Sequence, residues 1–198
     1  MNAVNPQRML PSRQLIKREL DAGKLGEPGL IRIHHWEETP PFTPASRALP
    51  TVLLQEIDCV LWLMGKSPNT VFALENTGWG PRPRWDRYLG SRYLQVHLGF
   101  PEGAMALLDF SSLHPPGDPY RSLHVIGSLG AAYVDDHQKM QLLYGWGQPR
   151  AVVASEVQGL ASGGEFPEMI GAWENVLTVA AAVERSIQSR QSVSLEGH

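Results

Sequence analysis

Between Leu49 and Gly65 the chain reads LPTVLLQEIDCVLWLMG, and its apolar positions recur at helical spacing. Leu53, Ile57, Val60, Leu61 and Met64 form one stripe that asks to be buried in a core. Pro50 stands where a first helical turn accepts proline, and Gly65 stands where a helix can end left-handed. A second face carries Thr51, Gln55, Asp58 and Trp62, at steps of four, three and four. Such a helix covers a sheet with its apolar side. Its other side either lines a cleft or simply meets solvent.

Upstream, Pro11 opens a shorter helix through Leu15, Ile16 and Leu20, with Gly23 as its stop. The pattern then changes to a period of two. In LIRIHHWEE, Ile31 and Ile33 oppose Arg32, His34 and Trp36. A strand near Thr70 to Leu74 follows the central helix. Leu94, Val96, Leu98 and Phe100 then alternate with Tyr93, Gln95 and His97, and Ala106, Leu108 and Phe110 alternate with Met105, Leu107 and Asp109. Leu123 and Val125 alternate with Ser122, His124 and Ile126. One sheet face is thus aliphatic and needs helices over it. The other carries Arg32, His34, Trp36, Tyr93, Gln95, His97, Asp109 and His124. After Pro167, the positions Met169, Trp173, Val176, Ala180, Val183 and Ile187 give a long closing helix its core stripe, before a short final strand at Ser192–Leu195. These patterns predict one α+β domain over residues 1–195, a large, mostly antiparallel open sheet with helices packed on one face.

The connections carry chemistry of their own. Thr39 to Pro50 is a proline-rich loop without periodicity. Asn76 to Ser91 gathers Trp79, Arg82, Arg84, Trp85, Arg87 and Tyr88 among glycines and prolines. Arginines and aromatics in a loop suit recognition, or they pin the loop onto its own domain. Gly127-Ser128-Leu129-Gly130 has the look of a phosphate loop, but the strand AAYVDD follows it instead of a helix, which makes it a hairpin turn. Asp135, Asp136 and His137 read as a solvated turn. The histidines on the polar face invite a metal, but each lies on a separate strand with no close ligand pair, so no metal site is assigned. That face reads as a solvated surface or a partner interface.

Composition narrows the classes. The 198 residues are 42% hydrophobic with a net charge of -3, and the mean hydropathy is -0.21. That describes a folded domain and gives no basic stripe for nucleic acid. The single Cys59 cannot form an internal disulfide, which points to a reducing compartment. No charged-then-apolar leader opens the chain, and no apolar run nears the about 18 residues of a membrane span. The cytoplasm is the expected location. Glu196-Gly197-His198 reads as a tag remnant and is set aside.

The central helix also resembles the one that opens the sheet domain of the Gfo/Idh/MocA oxidoreductases, the group of glucose–fructose oxidoreductase and inositol dehydrogenase. That family carries a run of the form D-x-G-x-H-x-x-D-x-x-x-W-L-x-G, whose first Asp and whose His are catalytic. Here Asp58, Trp62, Leu63 and Gly65 agree, whereas Thr51 stands at the Asp, Leu53 at the Gly and Gln55 at the His. The run from Arg8 through Leu25-Gly26 to Trp36 resembles the family's passage into its sheet domain, and the likeness extends to about Leu195. The resemblance implies a dihydrodipicolinate reductase- or glyceraldehyde-3-phosphate dehydrogenase-like C-terminal domain. It also implies sheet-to-sheet assembly of like chains, here through Arg32, His34, Trp36, Tyr93, Gln95, His97 and His124. The Rossmann domain of full-length members has a Gly-rich loop and an E-K-P lysine. In this sequence no G-x-G-x-x-G follows a strand, and E-K-P is absent.

These substitutions remove the expected proton exchange. Gln55 cannot titrate, and Thr51 offers a hydroxyl but no carboxylate. Asp58 can titrate, but it lies almost a turn further along and suits a structural hydrogen-bond acceptor. No G-x-S-x-G marks a serine hydrolase. Three readings stand. The chain is the substrate-binding and oligomerisation half of an oxidoreductase-like protein, inactive alone. It is a free-standing binding or assembly module for a sugar-like ligand or a protein partner. Or it is an unrelated enzyme that uses the histidine-bearing face. On the first reading no catalytic residue is assigned, and no cofactor is bound by this chain alone. NAD(P) enters only with a separate Rossmann partner. A polyol or sugar-like ligand would meet Gln55, Asp58, Trp79, Arg82, Arg84 and Trp85, through amide, indole and guanidinium groups.

Overall fold

In a computed structural model, residues 5–37, 48–76, 92–112, 120–135, 140–145, 150–153 and 170–195 are described. Helix α1 spans Pro11–Asp21, with Pro11 in its first turn and Gly23 beyond its end at φ 71°. Strand β1 is Pro28–Trp36, and α2 is Thr51–Met64. Gly65 closes α2 in the left-handed region, its N–H donating to the Leu61 carbonyl. Strands β2 (Thr70–Asn76), β3 (Tyr93–Gly99), β4 (Met105–Ser111), β5 (Tyr120–Gly127) and β6 (Gly130–Asp135) follow. Strands β7 (Met140–Gly145) and β8 (Arg150–Val153) come next, and α3 (Ile170–Ser189) and β9 (Val193–Ser194) close the order.

Among the described residues the strands form one sheet in the order β8-β7-β6-β5-β1-β4-β3-β2-β9. Every pairing is antiparallel except that of β1 with β4. The chain's first strand is therefore inserted at the centre, between two strands that come far later. The α+β class and the one-sided helical cover agree with the sequence reading. Strands β7 and β8 had no counterpart there.

The alternation is realised in register. Ile31, Ile33, Leu94, Val96, Leu98, Ala106, Leu108, Phe110, Leu123 and Val125 are buried on the side covered by helices. Leu53, Ile57, Val60 and Leu63 of α2 join them, with Val176, Val179, Ala182 and Val183 of α3. Where β9 stops short of Ala73, Ser186 of α3 accepts the Ala73 N–H at 2.9 Å and donates to the Gln191 carbonyl. No backbone donor is lost at that end of the short strand.

The Gly127–Gly130 segment is the two-residue hairpin the sequence suggested. It lies so close to Leu25–Gly26 that a Cβ on Gly127 would sit 2.0 Å from the Leu25 carbonyl oxygen. Ser128 and Leu129 donate their N–H groups to the carbonyls of Glu27 and Leu25. This clip fixes where β1 enters the sheet.

Candidate functional site

Helix α2 is buried on more sides than its aliphatic stripe implies, because Glu56, Asp58 and Cys59 are also inside. Asp58 is fully buried, and the chain's own N-terminal segment occupies its carboxylate. Arg8 reaches it through Nε at 2.6 Å and Nη2 at 2.5 Å, while the Asn5 side-chain amide donates both to Asp58 and to the Gln55 carbonyl. The Arg8 guanidinium also lies 5.5 Å from the Trp62 ring centroid, with Lys17 at 5.9 Å from the same ring. The polar face of α2 is thus covered at Asp58 and Trp62. It is half-buried at Gln55 and exposed at Thr51. Asp58 fills the structural acceptor role. Its place in a ligand site would require Arg8 and Asn5 to release it.

Arg92 forms the next anchor. It pairs with Glu75, donates to the Ala48 carbonyl at 2.5 Å, and so ties β2 and β3 to the residues leading into α2. Trp79, Arg82, Arg84 and Trp85, the loop part of the expected ligand site, lie outside the described residues.

A second polar cluster sits inside the core and was missed in the sequence. Arg13 of α1 pairs with Glu56 of α2, and the other side of Glu56 meets His35 Nδ1 at 2.8 Å. Arg13 also donates to Cys59 Sγ at 3.4 Å. All four side chains are buried. Burial pushes Glu56 up, but Arg13 and then His35 outweigh it and hold the carboxyl below its ordinary range. Burial likewise pulls Arg13 down, and Glu56 more than reverses that. The Cys59 thiol is pushed by burial up to about 11, so it stays protonated and unreactive. One signal for this cluster was present. Arg13 shares a helical stripe with Ile16 and Leu20, and Glu56 lies between Leu53 and Val60, so each charge occupies an apolar position.

The opposite sheet face brings together the residues expected there. His34 lies between Ser122, whose Oγ is 2.9 Å from Nδ1, and Asp109, whose Oδ2 is 3.7 Å from Nε2. His124 stands directly across from Arg32, and its ring is 6.2 Å from that of His34. Trp36 packs on Tyr120 at 5.4 Å, and His124 on Tyr133 at 5.3 Å. Gln95 donates to the Tyr93 hydroxyl at 2.7 Å, whereas Arg32 and His97 are exposed. Burial, then the Arg32 charge, lowers both His34 and His124, so these imidazoles are neutral at neutral pH. Leu74, Met105 and Ile126 expose apolar surface on the same side. Among the described residues, no group of three or more His, Cys, Asp or Glu is placed to hold a metal, and no helix is long and apolar enough to cross a membrane.

The sequence model of one family, described as the GFO/IDH/MocA C-terminal domain, matches residues 14–133. No curated protein sequence matches the chain. The fold is similar to an oxidoreductase from Agrobacterium radiobacter solved with NAD+, L-tartaric acid and magnesium, at a TM-score of 0.76 and 15% identity over 98% of this chain and 64% of that one. It is similar to levoglucosan dehydrogenase in complex with NADH and L-sorbose, at 0.72 and 16% over 98% and 65%. An oxidoreductase domain protein from Kribbella flavida gives 0.70 and 18% over 98% and 65%. The chain therefore spans just under two thirds of these structures.

Proposed function

The chain belongs to the GFO/IDH/MocA family as its C-terminal domain, and from that premise we propose that it is the ligand-facing and self-associating half of an oxidoreductase-like protein. On this reading it carries out no redox chemistry without a dinucleotide-holding partner. The observation that carries the reading is α2. It matches the family run at Asp58, Trp62, Leu63 and Gly65, and here Asp58 is buried, Trp62 lies under Arg8 and Gly65 caps the helix, while Thr51 and Gln55 offer no side chain that exchanges a proton at neutral pH. Hydride transfer also needs a bound nicotinamide, and the structures similar to this chain extend about a third beyond it. Two of them were solved with a polyhydroxylated molecule, which supports a polyol or sugar-like ligand for this domain. The half-buried Gln55 amide is the group we assign to meet it, and the single Cys59 is the ground for placing the protein in the cytoplasm.

Titration calorimetry of the purified chain with NAD+, NADH, NADP+ and NADPH tests the reading. No saturable heat is expected. Tight, saturable binding of any of the four, or alcohol oxidation by the chain alone, overturns it. An upstream reading frame with G-x-G-x-x-G and E-K-P would identify the partner by its chemistry. The loss of a titratable group at Gln55 favours a second reading, a free-standing binding or assembly module. A genome in which no such frame accompanies the chain would favour that module.

The open face supports the assembly part of the proposal. Leu74, Met105 and Ile126 are exposed on the same face that carries half-buried Trp36, Tyr120 and Tyr133, a combination of apolar area and aromatic anchors suited to a second copy. Solution scattering at rising concentration is expected to give a mass above that of one chain, and Met105→Asp is expected to reduce it. A strictly monomeric mass counts against the proposal.

A further inference from the structure

His35 has a carboxylate at each ring nitrogen. Nδ1 lies 2.8 Å from Glu56 Oε1, and Nε2 lies 3.5 Å from Glu37 Oε2. A neutral imidazole has one N–H and one lone pair. Only Nδ1 has hydrogen-bond geometry; Nε2 is buried without a hydrogen-bond partner and faces Glu37 at ion-pair distance, so a neutral ring stands in conflict with two carboxylates that a positive charge would answer. The ring is only 1% exposed, so it cannot discharge this conflict into water.

The charges around it come from several elements. Glu56 faces it from α2, with Arg13 of α1 on the far side of that carboxylate beside the neutral Cys59 thiol, Glu37 from the residue after β1, and Arg121 from the directly opposite position on β5. From β4 it meets the Phe110 ring at 6.2 Å, which brings no charge. The Arg8–Asp58 pair on the next part of α2 is internally balanced. Burial and Arg121 act against a proton on His35, while Glu37 and Glu56 act for it and prevail, raising the group above its ordinary value.

We propose that His35 is a proton-dependent latch: as imidazolium it fastens β1 to α1 and α2 through Glu56, and losing its proton loosens that fastening. The consequence reaches the candidate site. Helix α2 carries Thr51 and Gln55, and β1 carries His34 and Trp36 on its other side, so the latch sets how firmly the two are held to each other. The latch does not depend on which ligand or partner the domain takes.

The test is nitrogen NMR of the intact, histidine-labelled chain from about pH 5 to about pH 9, for the native sequence and for Glu37→Gln. Native His35 is expected to titrate with a midpoint above the ordinary 6.5 and to show two protonated ring nitrogens below that midpoint. Glu37→Gln is expected to move that midpoint down while the fold persists, because the Glu37 side chain is 37% exposed. Urea unfolding supplies a second readout. The raised folded-state pKa makes the His35 contribution complete below about 6.5 and lost as pH rises through the folded midpoint. Native stability should therefore decline over that window, and His35→Gln should lack that decline. A native midpoint at or below the ordinary 6.5, or a midpoint that Glu37→Gln leaves in place, overturns the latch. If His35→Gln does not fold, the Glu37→Gln titration decides alone.

Discussion

His34 and His35 are consecutive residues of β1, and the pleat sends their rings to opposite sides of one sheet. His34 faces the open side beside Ser122, Asp109 and Arg32 and is driven toward the neutral form, by burial first and then by the arginine. His35 faces the helices, is more deeply buried, and is nevertheless driven toward the charged form by Glu37 and Glu56. Burial alone predicts the reverse order. The difference teaches that the number and sign of the charges within reach decide protonation here, and that depth only sets how much those charges count. It also separates two uses of polar groups: inward ones tie elements together, and outward ones are left for something to meet.

The most severe way to break this contrast is to remove Glu56. Glu56→Ala would leave Arg13 and the His35 imidazolium buried without their shared acceptor, a change that typically costs about 3–5 kcal/mol. Urea unfolding at neutral pH should register it as a large fall in midpoint. A loss under about 1 kcal/mol would mean that the pair contributes little beyond space filling. A smaller effect sharpens the same contrast with apolar residues. Ile33→Ala on the inward face should cost about 2–5 kcal/mol. Met105→Ala on the outward face, where the side chain is 47% exposed, should stay within about 0.5 kcal/mol in the dissociated chain. Equal costs at the two sites would mean that the open side is covered in the isolated domain.

The sequence made the outward cluster legible and concealed the inward one, for a physical reason. Arg32, His34 and Trp36 alternate with Ile31 and Ile33, so their common side follows from period two alone. His35 continues the inward row, but a polar residue after two isoleucines looks like a strand running out of its core. Its partner Glu56 belongs to α2, and Arg13, which shares that carboxylate, belongs to α1, so only tertiary packing brings the three to one point. The charge at an apolar stripe position was the available clue, and it could not say what answered it. The central place of β1 is equally non-local. Local patterning found the strand, but its parallel pairing with β4 arises when the later strands close around it. Strands β7 and β8 lie at the sheet's edge, where the sequence QLLYGWGQPRAVV, broken by glycines and a proline, has no strict alternation.

The smallest expected effect concerns His34, and its sign is opposite to that of its neighbour. Its folded-state pKa lies below the ordinary 6.5, so between the two values the unfolded chain binds the proton that the folded chain refuses. Stability therefore rises with pH through that window and falls on acidification below about 6.5. In His34→Gln the amide keeps a hydrogen-bonding group near Ser122 but cannot titrate. The variant should lose less stability than the native chain as pH falls from neutral into the acid range. His124, shifted the same way by burial and Arg32, would leave part of the decline in place. Urea midpoints at a few pH values for native and variant suffice to measure it. An acid limb identical in both would mean that Asp109 accepts the His34 proton at no cost, and the contrast between the two faces would then rest on His35 alone.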